Sequence, residues 1–157
     1  SYGLNGQLTK APGYSDIEGF NKAENGLFPV HVHVDANGFI WVNLDASKKP
    51  EPFSQEFDKI DQMSRHKQFD FEDYRFDHTW QMSGDYNWKT LADNYNECYH
   101  CKLAHPDAVS AADLESYKVD VKGGNIEHFA NTSQEQAQEG MTIVSNYYFP
   151  NTCMTVS

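Results

Sequence analysis

The sequence predicts an α+β fold, and three observations predict it. The first fifty residues carry strand patterns and turn signals. The stretch from Trp88 to Tyr99 has the apolar spacing of an amphipathic helix. Near the C-terminus, Met141 to Phe149 and Thr152 to Val156 read as a β-hairpin, which implies an antiparallel sheet in the same part of the chain as the helix.

Taken in order, Asn5-Gly6 between Tyr2-Gly3-Leu4 and Leu8-Thr9 signals a tight hairpin. From Val30 to Val34 valines alternate with His31 and His33, and Asp35-Ala36-Asn37-Gly38 turns the chain into a second strand from Phe39 to Leu44. His31 and His33 share one face of their strand, and the ordinary reading is polar residues pointing outward from a half-buried strand. Asp45 to Pro52, with Lys48-Lys49-Pro50-Glu51-Pro52, reads as a linker and divides the chain into residues 1–48 and 49–157. Ser54 is placed to cap a helix running to Arg65. Tyr74, Phe76, His78, Trp80 and Met82 alternate with polar residues, which predicts a strand in a second sheet with His78 wedged between aromatics. Asp107 to Ser116 reads as a short helix or ordered loop, Tyr117 to Val121 as a strand, and the Gln- and Glu-rich stretch Asn131 to Gly140 as a loop.

Composition narrows the function classes. Hydrophobic residues make up 39% and aromatics 14%, enough to pack a core, so disorder is not the expectation. No apolar run approaches the length of a membrane span. Twelve basic against 23 acidic side chains give a net charge of −11, which argues against nucleic acid as a partner and favours cationic small molecules. Three cysteines form no even framework and suit the reducing interior of a cell.

The chemistry concentrates between Asn87 and Pro106. On a helix, Asp93, Glu97 and His100 fall within about 60° of one another and form a polar stripe. Trp88, Leu91, Ala92, Tyr95 and Tyr99 gather on the other side, which predicts a buried aromatic face. His105 on the same uninterrupted helix would stand roughly 140° from His100, so the two rings can share an ion only if the helix ends or bends between them. Pro106 supports such a break, because the residue before a proline is pushed out of the α region. Imidazoles and carboxylates suit a divalent transition metal with positions left open for chemistry. Two other readings compete: the stripe as the solvated side of a surface helix, and Cys98 and Cys101 around His100 as a structural zinc site or a redox pair.

On these residues a resemblance to a known family is evident. Asn87-Trp88-Lys89, Asp93-Asn94-Tyr95, Glu97-Cys98-Tyr99-His100-Cys101 and Ala104-His105-Pro106 resemble the mononuclear-iron motif of Rieske-type non-haem iron oxygenases. The form with Glu-Cys-Tyr-His-Cys and His-Pro is most similar to members that oxidise quaternary ammonium compounds such as choline, carnitine and glycine betaine. Weaker similarity runs along most of the chain. Tyr2 to Pro12 resembles the end of a Rieske domain, and Leu27 to Val30 with Gly38 to Asp45 resembles the strand pair that closes it. The resemblance implies that residues 1–48 end a Rieske β domain and that residues 49–157 begin a helix-grip-like catalytic domain.

It also implies roles. His100 and His105 would bind the mononuclear Fe(II), and Glu97 would carry electrons from a [2Fe-2S] cluster in a neighbouring subunit. Asp93 and Asn94 would support the ligands from behind, and substrate-binding residues are not assigned. The cluster's Cys and His ligands are absent from this sequence, and the third iron ligand, an Asp, is expected beyond Ser157. Asp107, Asp113 and Asp120 lie too near the motif to match it. The chain therefore reads as an internal piece holding half an iron site and inactive alone. The complete enzyme is expected to be an intracellular, cytoplasmic homotrimer. It would use O2 and electrons from a reductase or ferredoxin to oxidise choline to betaine aldehyde, with carnitine or glycine betaine as the alternative substrates. The competing expectation from another class is a non-catalytic, zinc-stabilised binding module using Cys98, Cys101, His100 and His105.

Overall fold

The computed structural model describes residues 1–14, 16–106, 112–132 and 142–157. The chain forms two compact units, Ser1–Glu51 and Pro52–Ser157.

In the first unit the expected N-terminal hairpin is a single bridge between Tyr2 and Leu8. Gly6 turns it at φ +78°, a conformation that favours glycine. β1 (His31–Val34) and β2 (Ile40–Asn43) then pair antiparallel, with His33 opposite Trp41. Asp35 organises their turn. Its Oδ1 accepts from the backbone of Asn37 and Phe39, and its Oδ2 accepts from the Trp41 indole at 2.8 Å. A buried carboxylate is tolerable when bonded in this way. Trp41 lies on the histidine side of the ribbon, where His33 is exposed as expected but Nε2 of His31 is buried, and on the other side Val32, Val34, Ile40 and Val42 are exposed.

The second unit opens with α1 (Phe53–Glu56), and here the expected helix from Ser54 to Arg65 does not form. The segment breaks into one α turn and the 3-10 turns Ile60–Gln62 and Ser64–His66. Pro52, not Ser54, occupies the cap position. Lys59 at φ 57° interrupts the helix, and tertiary contacts favour the interruption. Glu56 O accepts from Gly124 N at 3.1 Å, Phe57 packs edge-on against Tyr148, and Ile60 and His66 are buried.

Residues 74–82, expected to be a strand, pair with no strand among the described residues. Alternation supports an extended backbone, but a ladder also needs a neighbouring edge. Phe76 and Trp80 are 84% and 74% exposed. His78, expected between aromatics, is exposed and bonded to Asp77.

After α2 (Trp88–Tyr95) and α3 (Cys101–Ala104) come four antiparallel strands in the order β3-β4-β5-β6. They are β3 (Ala112–Lys122), β4 (Asn125–Thr132), β5 (Val144–Tyr148) and β6 (Thr152–Val156). β3 begins inside the stretch expected as a helix or loop, of which residues 107–111 lie outside the described residues. Of the expected loop at 131–140, Asn131 and Thr132 end β4, and residues 133–140 lie outside the described residues. β4 itself has no apolar alternation to announce it, because Asn125, Glu127 and His128 occupy its packed positions. The β5–β6 hairpin matches expectation, with Ser145 opposite Thr155 and Tyr147 opposite Cys153.

The sheet is packed on both faces. Asn125, Glu127, Val144, Asn146 and Tyr148 share one face with the 53–66 turns, through contacts such as Phe57 on Tyr148 and His66 on Asn146. Tyr117, His128, Ser145, Tyr147 and Thr155 lie on the other face, where Tyr95 of α2 meets them.

Candidate metal centre

The motif begins as a short helix with both ends capped by asparagine. Asn87 Oδ1 accepts from Lys89 N at 2.9 Å, and Asn96 Nδ2 donates to Ala92 O at 2.8 Å. Because α2 stops at Tyr95, Glu97 and His100 leave its periodicity, and the predicted continuous stripe with Asp93 is not formed. The predicted aromatic face is likewise divided. Tyr95 packs on Tyr147 and His128, and Trp88 sits edge-on to Phe149, but Leu91 and Tyr99 are 52% and 94% exposed.

Residues 97–100 form a turn stitched by its own side chains. One Glu97 oxygen meets Nδ1 of His100 and the other accepts from the backbone N–H of Tyr99. These bonds hold the Glu97 carboxyl below the usual carboxylate range, the His100 bond contributing most. With Nδ1 facing a carboxylate, the ring nitrogen of His100 left for a metal is Nε2.

Cys98 and Cys101 are joined in a disulfide across this turn. Where the sequence led us to expect reduced thiols, only Cys153 is free among the described residues. The zinc-module expectation loses its sulfur ligands by the same bond, since a metal takes thiolates.

α3 follows at once. Leu103 N and Ala104 N donate to His100 O, and His105 N donates to Cys101 O. His105 then leaves the helix at φ −134°, ψ 60°, as expected of a residue before proline. The break carries the two rings together, their centroids 5.3 Å apart and their planes at 80°.

No group of three potential ligands occurs among the described residues. Asp93 and Asn94 are exposed on α2 and bond to neither imidazole among those residues. Asp113 and Asp120 lie on β3, where Asp120 pairs with Lys122 at 3.4 Å.

The sequence did not point to the layer behind the turn. His128 of β4 lies between Tyr95 and Tyr117, with ring centroids at 5.1 and 5.9 Å. Burial raises the Tyr117 hydroxyl to about 12, helped by the charges of Glu97 and Tyr95, and burial lowers His128. Asn96 carried a readable signal as a polar residue just past a helix. His128, in a polar stretch without periodicity, carried none. Beside the turn an open cleft of about 350 Å³ is lined by Cys98, Tyr99, Lys102, Leu114, Glu115 and Tyr117.

The geometry is that of two imidazoles presented from a broken helix beside an antiparallel sheet, with a carboxylate fixing one of them. Residues 71–153 match the family described as "Ring hydroxylating alpha subunit (catalytic domain)", and the chain belongs to that family. It is 27% identical over 119 residues to the carnitine monooxygenase oxygenase subunit of Acinetobacter pittii (strain PHEA-2), covering 74% of this chain and 31% of that protein. It is 31% identical over 136 residues to the chloroplastic choline monooxygenase of Atriplex hortensis, covering 84% of this chain and 31% of that protein. The chain thus spans about a third of the length of these relatives. Its fold matches a crystal structure of the quaternary ammonium Rieske monooxygenase CntA with a TM-score of 0.75, at 21% identity, over 98% of this chain and 41% of that one. No helix among the described residues is long and apolar enough to cross a membrane.

Proposed function

We propose that this chain is the part of a Rieske non-haem iron monooxygenase that carries two ligands of the mononuclear iron, His100 and His105, with Glu97 as the electron-transfer bridge. The observation that carries this reading is the 5.3 Å approach of the two rings across a helix break, with Glu97 on Nδ1 of His100. Iron(II), when bound, supplies the activation of O2. The residues present fit it as two imidazole donors, and the third, an Asp, is assigned to the polypeptide beyond Ser157. The [2Fe-2S] ligands are assigned to the part before Ser1, so residues 1–48 close the cluster domain and residues 49–157 begin the catalytic domain.

In this reading Glu97 has two tasks. It holds the proton on Nδ1 of His100, and a carboxylate with about four lone-pair sites can accept a further bond from a cluster-ligating imidazole of a neighbouring subunit in a homotrimer. Asp93 and Asn94 are assigned the ligand-supporting role that the resemblance implies. The substrate is a quaternary ammonium compound, choline first, with carnitine or glycine betaine as alternatives, and the electrons come from a reductase or ferredoxin. Such a cation is held by aromatic faces and carboxylates, and the cleft beside the turn offers Tyr99, Tyr117 and Glu115.

Metal analysis of the complete enzyme, purified without oxygen, tests the assignment. Iron lost in His100→Ala and His105→Ala but kept in the Cys98→Ser, Cys101→Ser double variant is the expected result. Tightly held zinc with the reverse dependence sinks it. Product analysis with choline, carnitine and glycine betaine then ranks the substrates.

A further inference from the structure

Glu97 and His100 leave the periodicity of α2 because that helix ends at Tyr95, and the break that turns His105 toward His100 comes later, before Pro106. Many helices stop at a glycine or a left-handed residue. Here the capping residue is Asn96 at φ −90°, ψ 8°, in the bridge region and not the left-handed one. Were α2 to run on, Glu97 and His100 would fall into one stripe with Asp93 instead of the turn they form.

A chain of hydrogen bonds holds the ending in place. Asn96 Nδ2 donates to Ala92 O at 2.8 Å, which turns Oδ1 toward His128 Nε2 at 2.9 Å. An amide oxygen only accepts, so Nε2 carries the proton. Nδ1 of the neutral ring is then an acceptor, and the Tyr117 hydroxyl, 3.1 Å away, donates to it. Burial favours this arrangement, since it keeps Tyr117 protonated and His128 neutral. β4 is an inner strand of the sheet, and the backbone oxygen of His128 also accepts from Arg65. The ring is therefore anchored to an inner strand of the sheet.

We propose that His128 is a positioning residue for the metal centre: from β4, through Asn96, it sets where α2 ends and so where Glu97 and His100 stand. The proposal rests on the oxygenase reading above. It assigns His128 no contact with metal or substrate.

The test uses the complete, iron-loaded enzyme with its reductase. His128→Phe keeps a ring between Tyr95 and Tyr117 but removes both hydrogen bonds, Asn96→Ala removes the other end, and His128→Gln restores a donor. At equal iron content, turnover is expected to fall about tenfold in His128→Phe and in Asn96→Ala, with KM changed less than about twofold. The double variant should be no worse than either single one, and His128→Gln should recover to within about threefold of wild type. The ferrous nitrosyl electron paramagnetic resonance signal should broaden in the two impaired variants and sharpen again in His128→Gln.

A readout independent of turnover is the 15N spectrum of the His100 ring, where loss of the Nδ1–H tautomer is expected in both impaired variants. Wild-type turnover per iron with an unchanged spectrum in His128→Phe overturns the proposal, as does a multiplicative loss in the double variant. If His128→Phe does not fold, Asn96→Ala with wild-type turnover and an unchanged His100 tautomer overturns it instead. A wild-type enzyme without iron or substrate oxidation sinks the oxygenase reading separately. The His100 tautomer in the variants then decides the positioning role alone, and an unchanged tautomer overturns it.

Discussion

The two faces of the four-stranded sheet are both polar, yet they bury their polar groups differently. Beneath the 53–66 turns, His66, Asn125 and Asn146 are 3%, 1% and 0% exposed and bond in sequence. His66 Nε2 lies 3.1 Å from Asn146 Oδ1, and Asn146 Nδ2 donates to Asn125 Oδ1 at 3.0 Å. Beneath α2, the corresponding groups are Asn96, His128 and Tyr117, all half-buried, and their bonds end on a helix cap. A desolvated ladder serves stability, although Nδ1 of His66 is buried with no hydrogen-bond partner among the described residues. A half-buried one costs less to disturb, and what it positions can face a ligand.

Breaking the fully buried ladder should therefore cost most. Asn146→Leu strips partners from two buried groups, His66 and Asn125, and is expected to lower stability by about 3 kcal/mol. Urea unfolding followed by circular dichroism measures it, and a loss under about 1 kcal/mol would erase the contrast between the faces. Gly124→Ala comes next. A Cβ there would meet the Phe57 ring at 2.8 Å and Glu56 O at 3.2 Å, and that ring is held edge-on by Tyr148. The expected cost is about 2 kcal/mol, since neither neighbour has room to yield. Asn96→Ala, on the α2 face, should cost only about 1 kcal/mol because its partners can rehydrate. An Asn96→Ala cost equal to that of Asn146→Leu would mean that burial does not separate the two networks.

The same difference explains what the sequence disclosed. β1 with β2 and β5 with β6 were legible because short alternating runs flank turn residues, as at Asp35 to Gly38. The break between His100 and His105 was legible from Pro106, whose steric demand is local. The segment after Pro52 was not, because Glu56 and Phe57 make contacts with Gly124 and Tyr148, which lie far along the chain, and Lys59 breaks the helix with a left-handed turn. Nor was β4, whose inward residues Asn125, Glu127 and His128 look like surface until their partners are known. The alternation at 74–82 has the pattern of a strand, but pattern cannot supply a neighbour. At the site, residue types announced His100, His105 and Glu97, while the positions of Tyr117 and His128 follow only from the register between β3 and β4.

The smallest expected effect is a dependence on pH, and it distinguishes the faces without disturbing packing elsewhere. Burial, then the positive charge of Arg65, lowers His128 from its ordinary value of 6.5. As pH falls below 6.5 the unfolded chain takes up a proton on this ring that the folded protein still refuses, so stability declines until the folded ring also titrates. The groups facing the ring are Tyr95 and Tyr117, both raised by burial and neutral throughout this range, so neither offsets the decline. The shift of Glu97 acts in the same direction at lower pH, where a carboxyl held below its usual range loses its stabilising bonds on protonation. In His128→Gln the slope of unfolding free energy just below pH 6.5 should flatten while the acid limb from Glu97 persists. An unchanged slope would mean that the imidazole is as easily charged in the folded protein as in the unfolded chain, and the half-buried face would then be no more than a solvated surface.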